Sequence, residues 1–258
     1  MKKLDSKVYF IGAGPGDPEL ITLKGMRIIE SADLVLYAGS LVPESITESA
    51  RDKAIVQDSS SMNLEQTHEL MRDTVHNGGA VARVHTGDPS LYGAIREQII
   101  LLEQEGLGYE VIPGVTAGFA AAAKAGVSFT LPEKTQSLIF TRISGRTSVP
   151  EKERLSYLAE HNCSLVLYLS ASLVENAVSE LKQGGYTSDT PVIIASRIGW
   201  SGEEVINTRL DRMAEVTTQH EIGKQAVFLI LPDQEGETTF SKLYDRDFSH
   251  GFRNGRDE

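Results

Sequence analysis

Residues 7–29, KVYFIGAGPGDPELITLKGMRII, decide the fold because they place a glycine-rich turn between a strand pattern and a helix pattern. Apolar residues fill positions 8–11, as in a buried strand, and recur with helical spacing over residues 20–29. The glycines at 12, 14 and 16 form a GxGxG pattern, whereas dinucleotide-binding turns have a GxGxxG pattern. Pro15 restricts φ and removes a backbone donor from the middle of the turn. We therefore interpret residues 12–18 as a rigid shelf for a small ligand rather than a phosphate-binding loop.

The composition is that of a globular protein with one large or two modest domains, since 40% of the 258 residues are hydrophobic and 24% are charged. The formal net charge of −11 argues against non-specific binding to nucleic acid. The single cysteine, Cys163, precedes an apolar run and is predicted to be a packed core thiol, which fits a reducing compartment. We expect a cytoplasmic protein with no membrane partner, because no apolar run approaches the roughly 18 residues of a membrane helix and the N-terminus lacks the apolar core of a signal peptide.

Short apolar runs alternate with helical patterns along the whole chain, and ten of them are predicted strands: 8–11, 34–37, 54–56, 80–84, 109–112, 137–141, 165–169, 192–196, 204–208 and 226–231. Helical spacing is clearest in two sets of apolar residues: Leu91, Ile95, Ile99 and Leu102, and Leu173, Ala177 and Leu181. This alternation predicts an α/β fold of two domains with mostly parallel sheets. The predicted organisation is an N-terminal α/β domain over 1–113, a connecting segment over 114–135, a C-terminal α/β domain over 136–232 and a polar tail over 233–258.

Two further turns follow predicted strands in the same way as residues 12–18. They are HTGDP at residues 85–89 and PGVT at residues 113–116. A single glycine turn is weak evidence, because turns need glycine in any case. In open parallel sheets, however, ligands bind outside the carboxyl ends of the strands. Three such turns at equivalent strand ends therefore predict one composite pocket.

These motifs, in this order, resemble the tetrapyrrole methylase family. The resemblance rests on GAGPGDPELITLKG (12–25), TGDPSLYG (86–93), VIPGVTA (111–117) and PVII (191–194), and it covers about residues 7–232. The stretches YAGSLV (37–42), TRISGRT (141–147) and KLYDRDFSHGFR (242–253) are most similar to members that methylate corrin-ring precursors. Members that act on uroporphyrinogen carry an aspartate, proposed there as a proton acceptor, at the position of Ala38. Its absence here argues against the uroporphyrinogen reaction.

The resemblance implies S-adenosylmethionine as methyl donor, two α/β domains with the cofactor cleft between them, and a homodimer that methylates a tetrapyrrole polycarboxylate in cobalamin biosynthesis. Carried over residue by residue, the cofactor contacts of the family fall on Pro15, Gly87, Asp88, Pro89, Tyr92, Thr116, Ala117, Leu169, Ile198 and Ala226. No catalytic acid or base is assigned. Methyl transfer from a sulfonium needs alignment more than acid–base chemistry and has no metal requirement, so rigid turns suit it and no metal site is predicted.

A polycarboxylate substrate requires local positive charge on this acidic protein. We expect Arg142 and Arg146 to bind it, because a planar guanidinium suits carboxylates and Gly145 makes their loop adaptable. A solvated surface loop is the alternative. Asp88 lies near the cofactor or caps a helix predicted over 90–103. Trp200 stacks on the macrocycle or packs in the interior.

The six histidines show no metal-ligand spacing and are expected to be ordinary hydrogen-bonded or exposed side chains. Two other functions stay open. A ribosomal RNA methylase of the same fold is disfavoured by the acidic composition. A nicotinamide-dependent oxidoreductase or a nucleotide-binding regulator is disfavoured because Asp33 starts the second predicted strand, whereas ribose recognition needs an acid at its end. The sequence leaves open whether the ring already holds cobalt.

Overall fold

The structure, a computed structural model, describes residues 4–234 and 239–254, and ten strands lie among them. They are β1 (Val8–Gly12), β2 (Leu34–Tyr37), β3 (Ile55–Asp58), β4 (Val81–His85), β5 (Tyr109–Ile112), β6 (Leu138–Arg142), β7 (Ser164–Tyr168), β8 (Pro191–Ser196), β9 (Glu204–Arg209) and β10 (Ala226–Ile230). Each predicted strand is confirmed, with its bounds shifted by at most two residues.

Eight α-helices connect these strands within the described residues: α1 (Leu23–Ile29), α2 (Glu44–Thr47), α3 (Leu64–His76), α4 (Arg96–Gln104), α5 (Ala117–Ala125), α6 (Leu155–Ala159), α7 (Val174–Gln183) and α8 (Met213–Gln219). Side-chain caps fix where two of them begin. Thr22 Oγ1 accepts a hydrogen bond from Gly25 N at 3.1 Å at the start of α1. Asn63 and Gln66 bond reciprocally at the start of α3, which is a capping box.

The helix predicted over residues 90–103 is wrong at its N-terminal end. It begins only at Arg96, as α4, because residues 90–95 form turns and bends. Within that segment Tyr92 has a φ of 57° and Ala94 a φ of 50°, both in the left-handed region. A right-handed helix cannot include such residues. Asp88 consequently caps no helix here.

The described chain divides into two compact units. The first unit runs to Ala120 and also contains Arg197–Glu203, and the second contains Ala121–Ser196 and the chain from Glu204 onward. The boundary between Ala120 and Ala121 falls inside α5. The domain limits predicted from the sequence stay a prediction.

The first unit is a five-stranded sheet in the order β3-β2-β4-β1-β5, and all its strand pairs are parallel. Its central strands β1 and β4 are buried throughout, as expected for a parallel sheet that is covered on both faces. One face packs against α1 and α2 through Ile28, Ile29 and Ile46. The other packs against α3 and α4 through Met71, Ile99 and Leu102.

The second unit has a five-stranded sheet in the order β6-β7-β10-β8-β9, against which α6, α7 and α8 pack. Here only β6 and β7 are parallel, and the other three pairs are antiparallel. For β8 and β9 the cause is their connection, which is too short for the helical crossover that parallel neighbours need. The predicted α/β fold with mostly parallel strands is confirmed, since five of the eight strand pairs in the two sheets are parallel.

Two predictions about individual segments have clear outcomes. Cys163 is buried, as predicted, and burial raises the pKa of its thiol. Among residues 4–234 and 239–254, no helix is both long and apolar enough to cross a membrane. In the tail, the guanidinium of Arg253 donates to the carbonyl oxygens of Leu243 at 2.9 Å and Phe248 at 3.2 Å, so its described part has a defined local structure.

Candidate functional site

Three glycines pack backbone against backbone in the first unit, one at the end of β1 and two in the turns after β4 and β5. A Cβ added to Gly12 would lie 2.5 Å from the carbonyl oxygen of Gly87 and 2.6 Å from Cα of Gly114. Gly87 N donates to Gly14 O at 2.7 Å, which joins the first two turns a second time. These strands are parallel neighbours, so their carboxyl ends meet at one edge of the sheet. The predicted association of the three turns is therefore present, and we call Gly12, Gly87 and Gly114 the glycine junction.

Asp88 braces this junction with both carboxylate oxygens. Its Oδ1 accepts from Ser90 N at 2.8 Å within its own turn, and its Oδ2 accepts from Gly114 N at 2.9 Å in the turn after β5. Thr116, also predicted as a cofactor contact, lies close by, because a Cβ on Gly87 would be 3.8 Å from its Cα. Asp88 thus acts on the site by holding two turns together.

Replacing Asp88 tests this bracing role. Asp88→Ala should lower the free energy of unfolding by about 2 kcal/mol, because two backbone N–H groups lose their acceptor. Asp17→Ala is a matched control, since Asp17 accepts a single bond, from Glu19 N, on an exposed turn. Its cost should stay below about 1 kcal/mol. Urea denaturation measures both values, and equal losses would contradict the bracing role.

The turn that contains Pro15 packs against the segment Arg197–Glu203 within the first unit. Trp200 Nε1 donates to Pro15 O at 2.8 Å, and a Cβ on Gly16 would lie 2.7 Å from Ile198 O. Gly199 N in turn donates to Glu203 Oε2 at 2.7 Å, which closes the segment on itself. Trp200 is half-buried in this contact, so its packing role is the one observed. Ile198 contacts the turn through its backbone carbonyl.

Tyr92 lies in the strained segment before α4 and is 44% exposed. Besides the left-handed φ of Tyr92 and Ala94, Gly93 packs so closely on Pro89 that a Cβ there would be 2.8 Å from its carbonyl carbon. Gln98 Nε2, on α4, fixes this segment by donating a hydrogen bond to Ala94 O at 2.8 Å. Backbone strain of this kind persists where surrounding contacts enforce it, and it clusters at ligand sites.

The strand β4, which leads to this edge of the sheet, carries two buried polar side chains, Arg83 and His85. Arg83 Nε donates to Gln98 Oε1 at 3.0 Å, and its Nη1 donates to Ser59 Oγ at 2.7 Å. Burial lowers the pKa of Arg83 to about 10. Burial also lowers the pKa of His85 to about 3, with a further contribution from the positive charge of Arg83. His85 is therefore neutral at physiological pH.

His85 corrects the expectation that all six histidines are exposed or hydrogen-bonded. It is buried, and its Nε2 has no hydrogen-bond partner among the described residues. His68 does follow the expectation in part, because its Nε2 lies 3.0 Å from Glu105 Oε1. Nothing in the spacing of the histidines distinguished His85. The usable signal was its place at the end of an apolar strand, directly before a glycine turn.

Leu169 and Ala226, the remaining predicted cofactor contacts, lie in the second unit. Leu169 follows β7, is 68% exposed and has a φ of 52°. Ala226 begins β10, and the antiparallel register that pairs Phe228 with Leu167 brings it opposite Leu169. The two residues are thus neighbours at one end of the second sheet. Ala117, the last of the ten, is the first residue of α5.

The two arginines predicted to bind substrate carboxylates differ in their hydrogen bonds and in their exposure. Arg142 ends β6, and its guanidinium donates to Thr147 O and Ser148 O, each at 2.9 Å. It therefore shapes the loop over residues 143–149. Arg146 is exposed at the tip of that loop. Of the two, Arg146 is the one whose position suits contact with an anion in solution.

The sequence is similar to proteins of known activity along most of its length. Residues 7–214 match the family described as Tetrapyrrole (Corrin/Porphyrin) Methylases. A cobalt-precorrin-4 C(11)-methyltransferase of Priestia megaterium is 44% identical over 253 residues, which cover 96% of this chain and 98% of that protein. A precorrin-4 C(11)-methyltransferase of Pseudomonas aeruginosa is 42% identical over 250 residues, covering 96% and 99% of the two chains.

Solved structures agree with this similarity. A cobalt precorrin-4 methyltransferase has a TM-score of 0.85 and 44% identity, over 87% of this chain and 94% of that one. A uroporphyrin-III C-methyltransferase of Thermus thermophilus, complexed with S-adenosylhomocysteine, has a TM-score of 0.72 and 27% identity, over 87% and 96% of the two chains.

Proposed function

Since this chain belongs to the tetrapyrrole (corrin/porphyrin) methylase family, we propose that it methylates C-11 of cobalt-precorrin-4 or precorrin-4 in cobalamin biosynthesis. Its methyl donor is S-adenosylmethionine. The observation that carries the proposal is the similarity, over nearly the whole chain, to enzymes named for this reaction. Ala38 is consistent with it, because it provides no carboxylate where the uroporphyrinogen enzymes have one.

The residues of the first unit fit the cofactor. The glycine junction brings three backbone segments together with no side chains between them, and Asp88 and Trp200 fix the turns on either side of it. S-adenosylmethionine supplies an electrophilic methyl group on a sulfonium when it is bound. We propose that Pro15, Gly87, Asp88, Pro89, Tyr92, Thr116, Ala117 and Ile198 in the first unit, and Leu169 and Ala226 in the second, form its contacts.

The protein contributes to the reaction mainly by orientation. Turns that are braced by hydrogen bonds hold their backbone groups in place before the ligands arrive, so little ordering remains to be done on binding. Well-aligned reactants can lower a barrier by about 7–11 kcal/mol relative to free partners. This requirement explains why the site consists of rigid turns and carries its carboxylates, such as Asp88, as structural braces.

Arg146 is proposed to bind the carboxylates of the tetrapyrrole. Arg146→Ala should raise the KM for the tetrapyrrole about five- to tenfold, because a charge-assisted contact contributes about 1 kcal/mol or more. The affinity for S-adenosylhomocysteine should stay unchanged. Steady-state kinetics and calorimetry measure the two effects. Arg27→Ala, on the exposed side of α1, is a control that should alter neither. An unchanged KM in Arg146→Ala would remove Arg146 from the substrate site.

The activity itself is tested with a labelled methyl group. The purified protein should transfer it from S-adenosylmethionine to cobalt-precorrin-4 or to metal-free precorrin-4, and NMR should locate it on C-11. Comparing the two acceptors identifies the preferred one. Methylation at another ring carbon, or of RNA alone, would contradict the proposal. Tight binding of NAD without binding of S-adenosylhomocysteine would contradict the whole class of reaction.

We also propose that the protein works as a homodimer in the cytoplasm. The dimer is supported by the family resemblance. The cytoplasmic localisation is supported by the composition and by the single cysteine, which cannot form a disulfide within the chain. Sedimentation equilibrium measures the first and cell fractionation the second.

A further inference from the structure

Arg83 and His85 are both buried polar side chains, and the hydrogen bonds that brace the turns do not account for their burial. They are two residues apart on β4, so their side chains lie on the same face of the sheet. His85 is 4% exposed and Arg83 is 7% exposed. A buried polar atom without a partner costs free energy and calls for an explanation. Nε2 of His85 is such an atom within the described chain.

The charge of Arg83 is balanced by no nearby carboxylate. Its three hydrogen bonds go to the neutral acceptors Gln98 Oε1, Ser59 Oγ and Leu36 O. No carboxylate oxygen of the described residues lies within 4.0 Å of its nitrogens. A buried charge normally has a counter-ion, because burying it alone is expensive. The surroundings of Arg83 therefore favour a negative group.

The backbone of His85 lies between Arg83 and Gly87 along the chain and beside Gly12 in the sheet. It pairs in register with Gly12 of β1, and its carbonyl oxygen accepts from Ala13 N at 2.8 Å. Two residues further along the chain is Gly87. The ring of His85 lies 6.0 Å from that of Phe10, so an apolar wall flanks it on one side. A neutral imidazole has one N–H donor to offer.

We propose that His85 donates its Nε2–H to a carboxylate of a bound ligand, with Arg83 supplying the positive charge behind it. The inference rests on the proposed function, because both the amino-acid part of S-adenosylmethionine and the side chains of the tetrapyrrole carry carboxylates. It assigns His85 a binding role and no proton transfer.

The test combines a stability measurement with ligand binding on the full chain. His85→Phe removes the buried polar atom and keeps an aromatic ring, so the unfolding temperature should be unchanged or higher. Affinity for the ligand whose carboxylate it binds should fall about tenfold or more. His85→Gln keeps an N–H donor and should retain most of the affinity. His161→Phe, which changes an exposed histidine, is the control. A purely structural role for His85 would instead lower the unfolding temperature.

Three ligands distinguish the source of the carboxylate. If it belongs to the cofactor, His85→Phe weakens S-adenosylhomocysteine but not 5′-methylthioadenosine, which lacks the amino-acid part. If it belongs to the tetrapyrrole, the variant raises the KM for cobalt-precorrin-4 and leaves both nucleosides unchanged. Either result supports the inference. Equal losses for both nucleosides, or no loss for any ligand, would overturn it.

Two further results keep the test decisive. If His85→Phe does not fold, the ¹⁵N resonance of His85 Nε2 in the wild type should shift when one of these ligands is added, and its remaining in place would overturn the inference. If the wild type binds no S-adenosylhomocysteine, the proposed function itself fails, and that result is separate from the behaviour of the variants.

Discussion

Gly12→Ala should abolish measurable binding of S-adenosylhomocysteine and lower the free energy of unfolding by about 3 kcal/mol. The added methyl group would lie 2.5 Å from Gly87 O and 2.6 Å from both N and Cα of Gly114. All of these atoms are backbone, so no side chain can rotate away to make room. The turns after β1, β4 and β5 would have to separate, and the ligand-facing backbone would move with them. Calorimetric titration and urea denaturation measure the two losses.

Gly108→Ala is the control for this substitution, because Gly108 directly precedes β5 in the same unit. Of the residues that the structure describes, a Cβ there would meet only the side chain of Lys7, at 3.4 Å, which is an ordinary contact. Its stability should change by less than about 1 kcal/mol and its ligand affinity should not change. If Gly12→Ala behaved like Gly108→Ala, the glycine junction would not be a close backbone contact.

Trp200→Ala should weaken S-adenosylhomocysteine binding at least about tenfold and cost about 3 kcal/mol of stability, since an indole packed beside Gly16 is lost together with its hydrogen bond to Pro15 O. Trp200→Phe should cost about 1 kcal/mol, because a ring remains and only the hydrogen bond is removed. The order of the two variants tests the contact itself. Equal affinities in the wild type and Trp200→Ala would show that the turn with Pro15 is rigid without it.

The wild-type protein offers an independent measurement of this contact. Trp200 is the single tryptophan in the chain, so tryptophan emission reports on the segment Arg197–Glu203 alone. Addition of S-adenosylhomocysteine should change the intensity or the wavelength of that emission. Emission that stays constant at saturating ligand would place the ligand away from Pro15.

Much of the first unit follows from local patterns in the sequence. The strands β1 and β4 are continuous apolar runs, and such runs are typical of the centre of a parallel sheet. Each leads into a glycine turn, so the edge that carries the candidate site could be predicted without knowing the strand order. The glycines were informative because a residue without a Cβ permits close contacts between backbone segments, and few other residues could occupy such positions.

Other features depend on contacts between distant residues, which local patterns do not encode. The antiparallel pairs of β10 with β7 and β8 arise from how the second sheet is assembled, although β10 alone has the same apolar character as a parallel strand. The late start of α4 was hidden because Leu91 and Ile95 keep helical spacing through a segment with left-handed φ values. The indole of Trp200 bonds a carbonyl 185 positions away in the chain, and no spacing rule predicts such a pair.

The segment Arg197–Glu203 makes the first unit discontinuous in the chain, and this has a consequence for biosynthesis. The ribosome completes residues 1–120 well before it adds Trp200, the residue that holds Pro15 in place. At about 5–20 residues per second, the intervening 80 residues take roughly 4–16 s. During that interval the first sheet of the nascent chain lacks the hydrogen bond from Trp200 to Pro15 O. A truncated gene that ends after residue 120 would produce a polypeptide that lacks this contact permanently.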